Sequence, residues 1–253
     1  MALSEHEPPG AGGRRGSPAE LPLRAAVFDL DGTLVDTEPR NRAMWRRLFQ
    51  THGVPHDEAL IASFAGRRGV EVLAELAHLF PGRAVDELFA QVVSYGAAPD
   101  MPPVAPVPGA VELVRALHGA GVPVAVVTSA QRPYAEALLD GLGILELPAA
   151  TVTAGDVTAG KPDPEGYLAA AGTLGVPPAD AVAFEDAPAG VAAVKAAGMT
   201  CVGVTTTQPA RALDGADHLV ANLKEVELSP GPVLRVFGGR PRREPPGRGE
   251  DEE

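Results

Sequence analysis

Two aspartates, Asp29 and Asp31, stand at the end of a short apolar run and are followed by Gly32 and Thr33. A short apolar run bounded by turn residues is typical of a buried strand in an α/β sheet. Because side chains alternate between the two faces of a strand, both carboxylates should point to the same side at the carboxyl end of this strand. Open α/β sheets bind their ligands at that edge. The sequence therefore predicts a ligand site that begins with these two acids.

Two carboxylates that converge at one edge repel each other unless a cation or a shared proton compensates. Mg²⁺ would supply that compensation, because it binds carboxylate oxygens, water and substrate phosphate. A carboxylate can also attack phosphorus and form an aspartyl-phosphate. A strand that merely ends in a polar turn would explain the same residues, so the rest of the chain has to decide between the two interpretations.

Polar residues also follow other predicted strands or precede helices. Two hydroxyl groups could donate hydrogen bonds to phosphate oxygens, and a lysine before a proline-initiated helix could neutralise phosphate charge. Paired acids at a further strand end equally suit the capping of a helix. These candidates are Thr128, Ser129, Lys161, Glu185 and Asp186.

The elements that must position these residues follow two patterns. Apolar residues four apart over 38–103, such as Met44 and Leu48, predict several helices with no strand among them. From Gly109 onward, helices alternate with short apolar strands, which predicts a parallel sheet covered on both faces. The predicted fold is thus α/β, with a Rossmann-like parallel-sheet core and an inserted helical bundle, the cap, over the carboxyl edge of the sheet.

The predicted domain boundaries follow from these patterns and from composition. Proline and glycine are frequent near both ends of the sequence, with little apolar periodicity, which indicates disorder there. We therefore predict a disordered leader (1–22), a core (23–37 and 104–228), a cap (38–103) and a disordered tail (229–253).

The 253-residue chain carries a formal net charge of −12, which argues against broad affinity for nucleic acid. A small phosphorylated metabolite is still compatible with this charge, since a metal ion and a few local cations suffice for one phosphate.

Cys201 is the single cysteine, so no internal disulfide is expected. No apolar run approaches the length of a membrane span, and the N-terminal residues lack the apolar core of a signal peptide. We expect a cytoplasmic monomer that binds neither nucleic acid nor a membrane.

Taken in order, four segments resemble the signature motifs of the haloacid dehalogenase superfamily of phosphotransferases. They are Asp29-x-Asp31-Gly32-Thr33, Thr128, Lys161 and Glu185-Asp186. The resemblance extends from about Arg24 to Asn222. The helical insertion is similar to the small cap of the subgroup that includes β-phosphoglucomutases, phosphoglycolate phosphatases and sugar phosphatases.

This resemblance implies a role for each acid. Asp29 would be the nucleophile, and Asp31 would protonate the leaving alcohol and later deprotonate the water that hydrolyses the aspartyl-phosphate. Mg²⁺ would be held by the Asp29 carboxylate, the Asp31 backbone carbonyl and Asp186. Glu185 would act on the metal through a water molecule.

The resemblance also implies which residues bind the substrate. Thr128 and Lys161 would bind the transferring phosphoryl group, together with backbone amides that include that of Ser129. In the related subgroup a cap turn with a glycine and basic residues faces the core site, and here that turn contains Arg67 and Arg68. Either arginine could contact substrate oxygens, or it could be a solvated residue at a helix start.

The leading hypothesis is a Mg²⁺-dependent phosphatase for a small, sugar-like phosphate ester. Its nearest alternative is a β-phosphoglucomutase-type phosphotransferase with the same core chemistry, and a catalytically silent binding module is a third. A silent module would have lost the nucleophile, the lysine or a metal-binding acid, and none of these is missing.

β-Phosphoglucomutases resemble one another in a histidine on the first cap helix. Asn41 holds the corresponding place here, which favours water over a sugar phosphate as the acceptor.

Overall fold

The structure is a computed structural model that describes residues 17–239. In chain order its strands are β1 (Ala19–Pro22), β2 (Ala25–Phe28), β3 (Val35–Asp36), β4 (Ala105–Pro106), β5 (Val124–Val127), β6 (Ala150–Val152), β7 (Ala181–Glu185), β8 (Thr200–Val204), β9 (His218–Val220), β10 (Val226–Ser229) and β11 (Val233–Val236). Its α-helices are α1 (Glu38–Thr51), α2 (Glu58–Ala62), α3 (Gly69–Glu75), α4 (Val85–Tyr95), α5 (Ala110–Gly119), α6 (Arg132–Gly141), α7 (Glu165–Leu174) and α8 (Pro188–Ala196). Short 3₁₀ turns occupy Ala77–Leu79, Pro178–Asp180, Ala210–Leu213 and Leu223–Glu225. Within residues 17–239, no helix combines the length and the apolar character that crossing a membrane requires.

A parallel sheet lies at the centre of the core, with the strand order β6-β5-β2-β7-β8-β9. β2 and β5 are buried along their whole length, as expected for strands that are covered on both faces. Ala26 and Phe28 belong to one apolar cluster, which includes residues of α5 and α6. Ala25 and Val27 belong to a second cluster, with residues of α7 and α8. The prediction of an α/β fold with a parallel-sheet core is therefore confirmed.

β2 pairs with two strands that come much later in the chain. Phe28 lies opposite Val126 of β5 and Phe184 of β7, and the rings of Phe28 and Phe184 stack with their centroids 4.6 Å apart. Because the three strands run parallel, their carboxyl ends meet at one edge of the sheet. The polar residues that follow these strands are therefore brought together.

The helices α1 to α4 lie between β3 and β4 and pack around an apolar cluster of their own. Phe49 is at the centre of this cluster, with its ring 6.2 Å from that of Phe64 and 5.6 Å from that of Phe80. Antiparallel pairing of β3 with β4 joins the two linkers of the insertion. No pattern in the sequence predicts this short pairing, which holds the entry and the exit of the cap side by side.

The predictions of a disordered leader and a disordered tail are wrong where the structure describes these segments. β1, within the predicted leader, pairs antiparallel with β11, within the predicted tail, and β11 also pairs with β10. Leu234 and Val236 of β11 are fully buried in the cluster that covers one face of the central sheet. Burial of apolar surface stabilises this small sheet, and the nearby proline and glycine obscured its pattern. Residues 1–16 and 240–253 lie outside the described residues, so the prediction of disorder stays a prediction for them.

Candidate active site

The carboxyl edge of the central sheet holds a buried cluster of three acids. Asp29 follows β2, Glu185 ends β7, and Asp186 comes next. The pairing of β2 with β7 sets these ends side by side, and the Asp29 backbone N–H donates to the Phe184 carbonyl at 3.0 Å. One oxygen from each acid lies within 4.8 Å of the others, and all three residues are buried. Three carboxylates in so small a buried space could bind a metal ion.

Lys161 places a positive charge against this acid cluster. Its ammonium donates to Asp29 Oδ1 at 2.5 Å, to Glu185 Oε1 at 2.6 Å and to the Val127 carbonyl at 3.2 Å. Burial alone would lower the pKa of this ammonium, but the carboxylates of Asp29 and Glu185 outweigh burial and hold that pKa above its usual value. Lys161 therefore stays charged and compensates for part of the negative charge of the cluster.

The acids of the cluster differ in how many protein donors they already have. Glu185 Oε1 accepts from the Tyr167 hydroxyl at 2.7 Å as well as from the lysine. Glu185 Oε2 accepts from the backbone N–H groups of Asp186 at 3.0 Å and Ala187 at 3.2 Å. In contrast, Asp29 Oδ2 and Asp186 Oδ1 are buried without a hydrogen-bond partner. Unpartnered buried carboxylate oxygens are costly unless a cation or a proton binds them, so these two oxygens fit a metal ion best.

Asp186 is fixed by Thr207 and by the close approach of Gly32. The Thr207 hydroxyl donates to Asp186 Oδ2. A Cβ atom built on Gly32 would lie 2.0 Å from that same oxygen, which is far inside contact distance. Gly32 also has a φ of 93°, a backbone conformation that favours glycine. The turn after Asp31 can therefore pass this close to the acid cluster only with glycine at position 32.

Burial raises the pKa values of the acids even with a lysine beside them. The pKa of Asp29 rises to about 8, because burial outweighs the opposing effect of the Lys161 ammonium. Burial also raises the pKa of Asp186, and the neighbouring charges of Asp29 and Glu185 add to the rise. Without a metal ion the cluster therefore retains protons near neutral pH, and a bound metal ion would displace them.

The metal-free protein should lose stability as the pH rises. The pKa of Asp29 is 3.8 in its ordinary state and about 8 in the folded protein, so the folded state binds more protons than the unfolded state between these values. The free energy of unfolding should therefore fall as the pH rises through this interval. A divalent cation binds the ionised carboxylates and should oppose this fall. Thermal unfolding from about pH 5 to about pH 8, with a chelator or with Mg²⁺, tests this prediction, and a flat profile in the chelator would contradict it.

Asp31 is held apart from the cluster by hydroxyl groups. Its Oδ1 accepts from Thr37 Oγ1 at 2.7 Å and from the Tyr134 hydroxyl at 3.0 Å. Asn41 of α1 donates to Thr37 Oγ1 at 3.2 Å, so the threonine connects Asp31 to the first cap helix. Burial raises the pKa of Asp31, and the hydrogen bonds from Thr37 and Tyr134 oppose the rise. A carboxyl group with a raised pKa and a fixed orientation suits the role of a proton carrier.

The three residues predicted to bind phosphate line one small cavity. Thr128, Ser129 and Lys161 surround a space of about 20 Å³ together with neighbouring core residues. This space holds about one water molecule. The Ser129 hydroxyl donates to the Gly66 carbonyl at 2.9 Å and so contacts the cap turn. The backbone amide of Ser129 remains the group that the sequence analysis predicted for phosphate.

Arg68, in the cap turn, fastens the cap onto the core. Its side chain is only 11% exposed. Its guanidinium donates to the carbonyls of Ala154 at 2.9 Å, Val157 at 3.0 Å and Thr158 at 3.1 Å, which all belong to the loop after β6. These charge-assisted hydrogen bonds occupy donors that the sequence analysis considered for substrate oxygens.

Arg67 has different surroundings from its neighbour. It forms a salt bridge with Glu75 of α3 and lines a cleft of about 360 Å³ between α2 and the start of α8. A Cβ atom built on Gly66 would lie 2.6 Å from the Cβ of Ala187, so the cap turn contacts the core immediately after Asp186. The prediction that either arginine contacts the substrate stays a prediction.

The Arg68→Ala variant should loosen the contact between the cap and the core. Loss of hydrogen bonds from this partly buried guanidinium should weaken the contact between cap and core by about 1.5–3 kcal/mol. Amide hydrogen exchange in 154–158 should therefore accelerate by about tenfold or more, while the α5 amides keep their rates. Arg67→Ala is the matched control, because its salt bridge with the mostly exposed Glu75 contributes little. Equal exchange rates in 154–158 for both variants would contradict a fastening role for Arg68.

Four residues that hold the site together were missed by the sequence analysis. They are Thr37, Tyr134, Tyr167 and Thr207. Thr37 comes soon after the first motif and Tyr167 soon after Lys161, so both had a local signal. Tyr134 and Thr207 had none, because their contacts depend on how the start of α6 and the loop after β8 meet the edge of the sheet.

Comparisons with known proteins agree with this geometry. The sequence model of the haloacid dehalogenase-like hydrolase family matches residues 23–198. A validoxylamine A 7'-phosphate phosphatase from Streptomyces hygroscopicus subsp. limoneus is 51% identical over 203 residues, which are 80% of this chain and 95% of that protein. Hexitol phosphatase A from Escherichia coli (strain K12) is 34% identical over 208 residues, which are 81% of this chain and 94% of that protein. The crystal structure of a β-phosphoglucomutase from Clostridium difficile has a TM-score of 0.70 at 24% identity, covers 81% of this chain and 93% of that chain, and shows likeness of fold alone.

Proposed function

Because the chain belongs to the haloacid dehalogenase-like hydrolase family, we propose that it is a Mg²⁺-dependent phosphatase of a small, sugar-like phosphate ester. The reaction would pass through an aspartyl-phosphate on Asp29. The names of the two phosphatases above, one for validoxylamine A 7'-phosphate and one for hexitol, support a polyhydroxylated leaving alcohol. Their similarity extends over almost their whole length, so the proposal covers the core and the cap together.

The observation that carries the proposal is the pair of unpartnered oxygens, Asp29 Oδ2 and Asp186 Oδ1, in a buried cluster beside a charged lysine. Asp29 and Asp186 would hold Mg²⁺, with Glu185 nearby but already saturated by protein donors. When bound, Mg²⁺ would supply positive charge that lets the phosphate approach the acids. The same edge of the sheet presents Asp31 in a fixed orientation.

Two proton transfers by Asp31 complete the proposed reaction. The Asp29 carboxylate attacks phosphorus while the bond from phosphorus to the leaving oxygen breaks, and Asp31 gives its proton to that oxygen. Asp31 then takes a proton from water as the water oxygen attacks the aspartyl-phosphate, which releases inorganic phosphate and restores the Asp29 carboxylate. Lys161, the Thr128 hydroxyl and the Ser129 amide would stabilise the equatorial oxygens during both steps.

The hydrogen bonds of Asp31 favour water over a sugar phosphate as the final acceptor. Thr37 and Tyr134 hold the carboxyl group of Asp31 without any ligand, so this group is already oriented before a sugar binds. Asn41 reaches Asp31 only through Thr37 and has no titratable proton with which to couple sugar binding to alignment. A phosphatase needs no such coupling, whereas a mutase must keep water from a labile aspartyl-phosphate.

Phosphate release across a panel of sugar and polyol phosphates tests the proposal. With Mg²⁺, at least one member should release inorganic phosphate, and a chelator should stop the release. β-Glucose 1-phosphate with a trace of the bisphosphate separates the two enzyme hypotheses. Glucose 6-phosphate that forms much faster than inorganic phosphate would favour the mutase, and inertness toward every phosphate would favour a silent binding module.

We also propose that the protein acts as a cytoplasmic monomer on a small phosphorylated metabolite, without nucleic acid or membrane as a partner. The net charge of −12 supports the exclusion of nucleic acid. Light scattering of the full chain after size-exclusion chromatography tests the monomer. A mass of twice the chain mass of 26.0 kDa would contradict it.

A further inference from the structure

We infer that Tyr134 is a positioning residue, whose hydroxyl holds the carboxyl group of Asp31 in the orientation that transfers a proton to and from the reacting oxygens. The inference rests on the proposed function, in which Asp31 is the proton carrier. The contact is direct, since the Tyr134 hydroxyl donates to Asp31 Oδ1 at 3.0 Å. Tyr134 lies outside the four motifs that resemble the family.

The start of α6 keeps Tyr134 in place. The Tyr134 backbone N–H donates to the Gln131 carbonyl at 3.1 Å, and the next residue, Ala135, is fully buried against the core. Arg132 ties the same turn to the core through Asp156 at 2.6 Å and the Thr151 carbonyl at 3.1 Å. The position of the tyrosine is therefore set by the rigid core rather than by the cap.

Tyr134 is 39% exposed as a whole residue, while its hydroxyl donates to Asp31. A tyrosine that served only to fill the core would bury its ring and leave its hydroxyl at the surface or on a backbone carbonyl. Here the polar end makes the specific contact, and the residue as a whole is incompletely covered. This arrangement points to the hydroxyl as the useful group.

Two donors on one oxygen determine which oxygen of Asp31 carries the proton. Oδ1 accepts from Tyr134 and from Thr37, which approach from two different elements, α6 and the start of the cap. When the carboxyl group of Asp31 is protonated, the oxygen that accepts these two hydrogen bonds is its carbonyl oxygen. The proton is then carried by Oδ2, and this is the atom that gives it to the leaving oxygen and later receives one from water.

Without the tyrosine hydroxyl, the carboxyl group loses one of the two donors on Oδ1 and exchanges its two oxygens more readily. Less of the enzyme then presents the proton to the leaving oxygen. The loss should be greatest for a leaving oxygen that depends on that proton, and small for one that departs as a stable anion. A comparison of leaving groups therefore isolates the positioning of Asp31 from general damage to the protein.

The experiment measures kcat/KM of the Tyr134→Phe variant with phenyl phosphate and 4-nitrophenyl phosphate in the presence of Mg²⁺. The two esters have similar shapes, but phenolate is the more basic leaving group. We expect a loss of about tenfold with phenyl phosphate, the effect of removing one hydrogen bond, and less than about threefold with 4-nitrophenyl phosphate. The Tyr95→Phe variant, which loses a hydroxyl bonded to Thr51 in the cap at 3.0 Å, should match the wild type on both esters.

Equal losses on the two esters would overturn the inference, because a merely structural role does not distinguish leaving groups. An unchanged kcat/KM on both would overturn it as well. Tyr134→Leu, which removes the ring too, should show the same selective loss as Tyr134→Phe. A much larger loss in the leucine variant on both esters would show that the ring is the important part and would reject the role of the hydroxyl.

The outcome separates this inference from the proposed function. If the wild type hydrolyses neither ester nor any member of the sugar phosphate panel, the proposed function fails and the positioning role fails with it. If the wild type is active but the losses are not selective, only the role of Tyr134 fails.

Discussion

The Asp29→Asn variant should lose at least about a hundredfold of turnover while it keeps the native fold. A neutral amide cannot attack phosphorus as a carboxylate does, and it is a weaker ligand for a cation. The fold should survive because Lys161 keeps its contacts with Glu185 and the Val127 carbonyl. The measurement is the rate of phosphate release with Mg²⁺, together with thermal unfolding of both proteins.

Asp57→Asn is the matched control for this variant. Asp57 caps α2 by accepting from the Leu60 backbone N–H at 2.8 Å, and asparagine caps a helix about as well. Its activity and stability should therefore equal those of the wild type. Retention of more than about a hundredth of the wild-type rate by Asp29→Asn would exclude the covalent mechanism.

The Lys161→Met variant should lose both activity and stability. Methionine fills a similar volume, but it leaves the carboxylates of Asp29 and Glu185 buried without their positive partner. Breaking a buried ion pair by removing one partner typically costs about 3–5 kcal/mol. Activity should be lost as well, since the transferring phosphoryl group would no longer meet a fixed cation. Denaturant unfolding in a chelator and phosphate release with Mg²⁺ measure the two effects separately.

The stability of Lys161→Met should recover as the pH falls. The lysine opposes the rise in the pKa of Asp29, so its removal should raise that pKa above its value of about 8 in the wild type. The folded variant then binds more protons than the unfolded chain, and its free energy of unfolding increases toward low pH. Adding Glu185→Gln to the variant should recover part of the stability at neutral pH without restoring activity. Wild-type stability of the single variant at neutral pH would contradict this account of the cluster.

The central strands and their parallel arrangement could be predicted because each strand is short, apolar and bounded by turn residues. β8 (Thr200–Val204) and β9 (His218–Val220) are examples of the short strands that the alternating pattern after Gly109 predicts. The acids at positions 29, 185 and 186 meet because strand ends in a parallel sheet share one edge, so their proximity follows from topology alone. For these features a local pattern and a rule of sheet geometry are enough.

The contacts across the site could not be predicted in the same way. The tyrosine at position 134 reaches Asp31 from a helix that follows another strand, and no periodicity fixes the distance between a helix start and a neighbouring strand end. Arg68 was considered for the substrate because sequence shows a basic turn, whereas its donors meet three backbone carbonyls that have no sequence signature. β1 and β11 were missed because nearby proline and glycine obscured their patterns, and because β1 has its partner strand at the far end of the described residues.

The pairing of β1 with β11 also determines when folding can finish on the ribosome. β1 is the first described strand to be synthesised and β11 is the last, so β1 has no strand partner until nearly all the described residues have emerged. β2 likewise has no partner in the central sheet until β5 and then β7 have been synthesised. Asp29, which follows β2, cannot contact the other two acids before then. Contacts between distant segments form slowly, because closing a long loop costs chain entropy before any contact is gained. A growing chain therefore has to keep its first strands from pairing wrongly for most of its synthesis, and it becomes competent for chemistry only near the end.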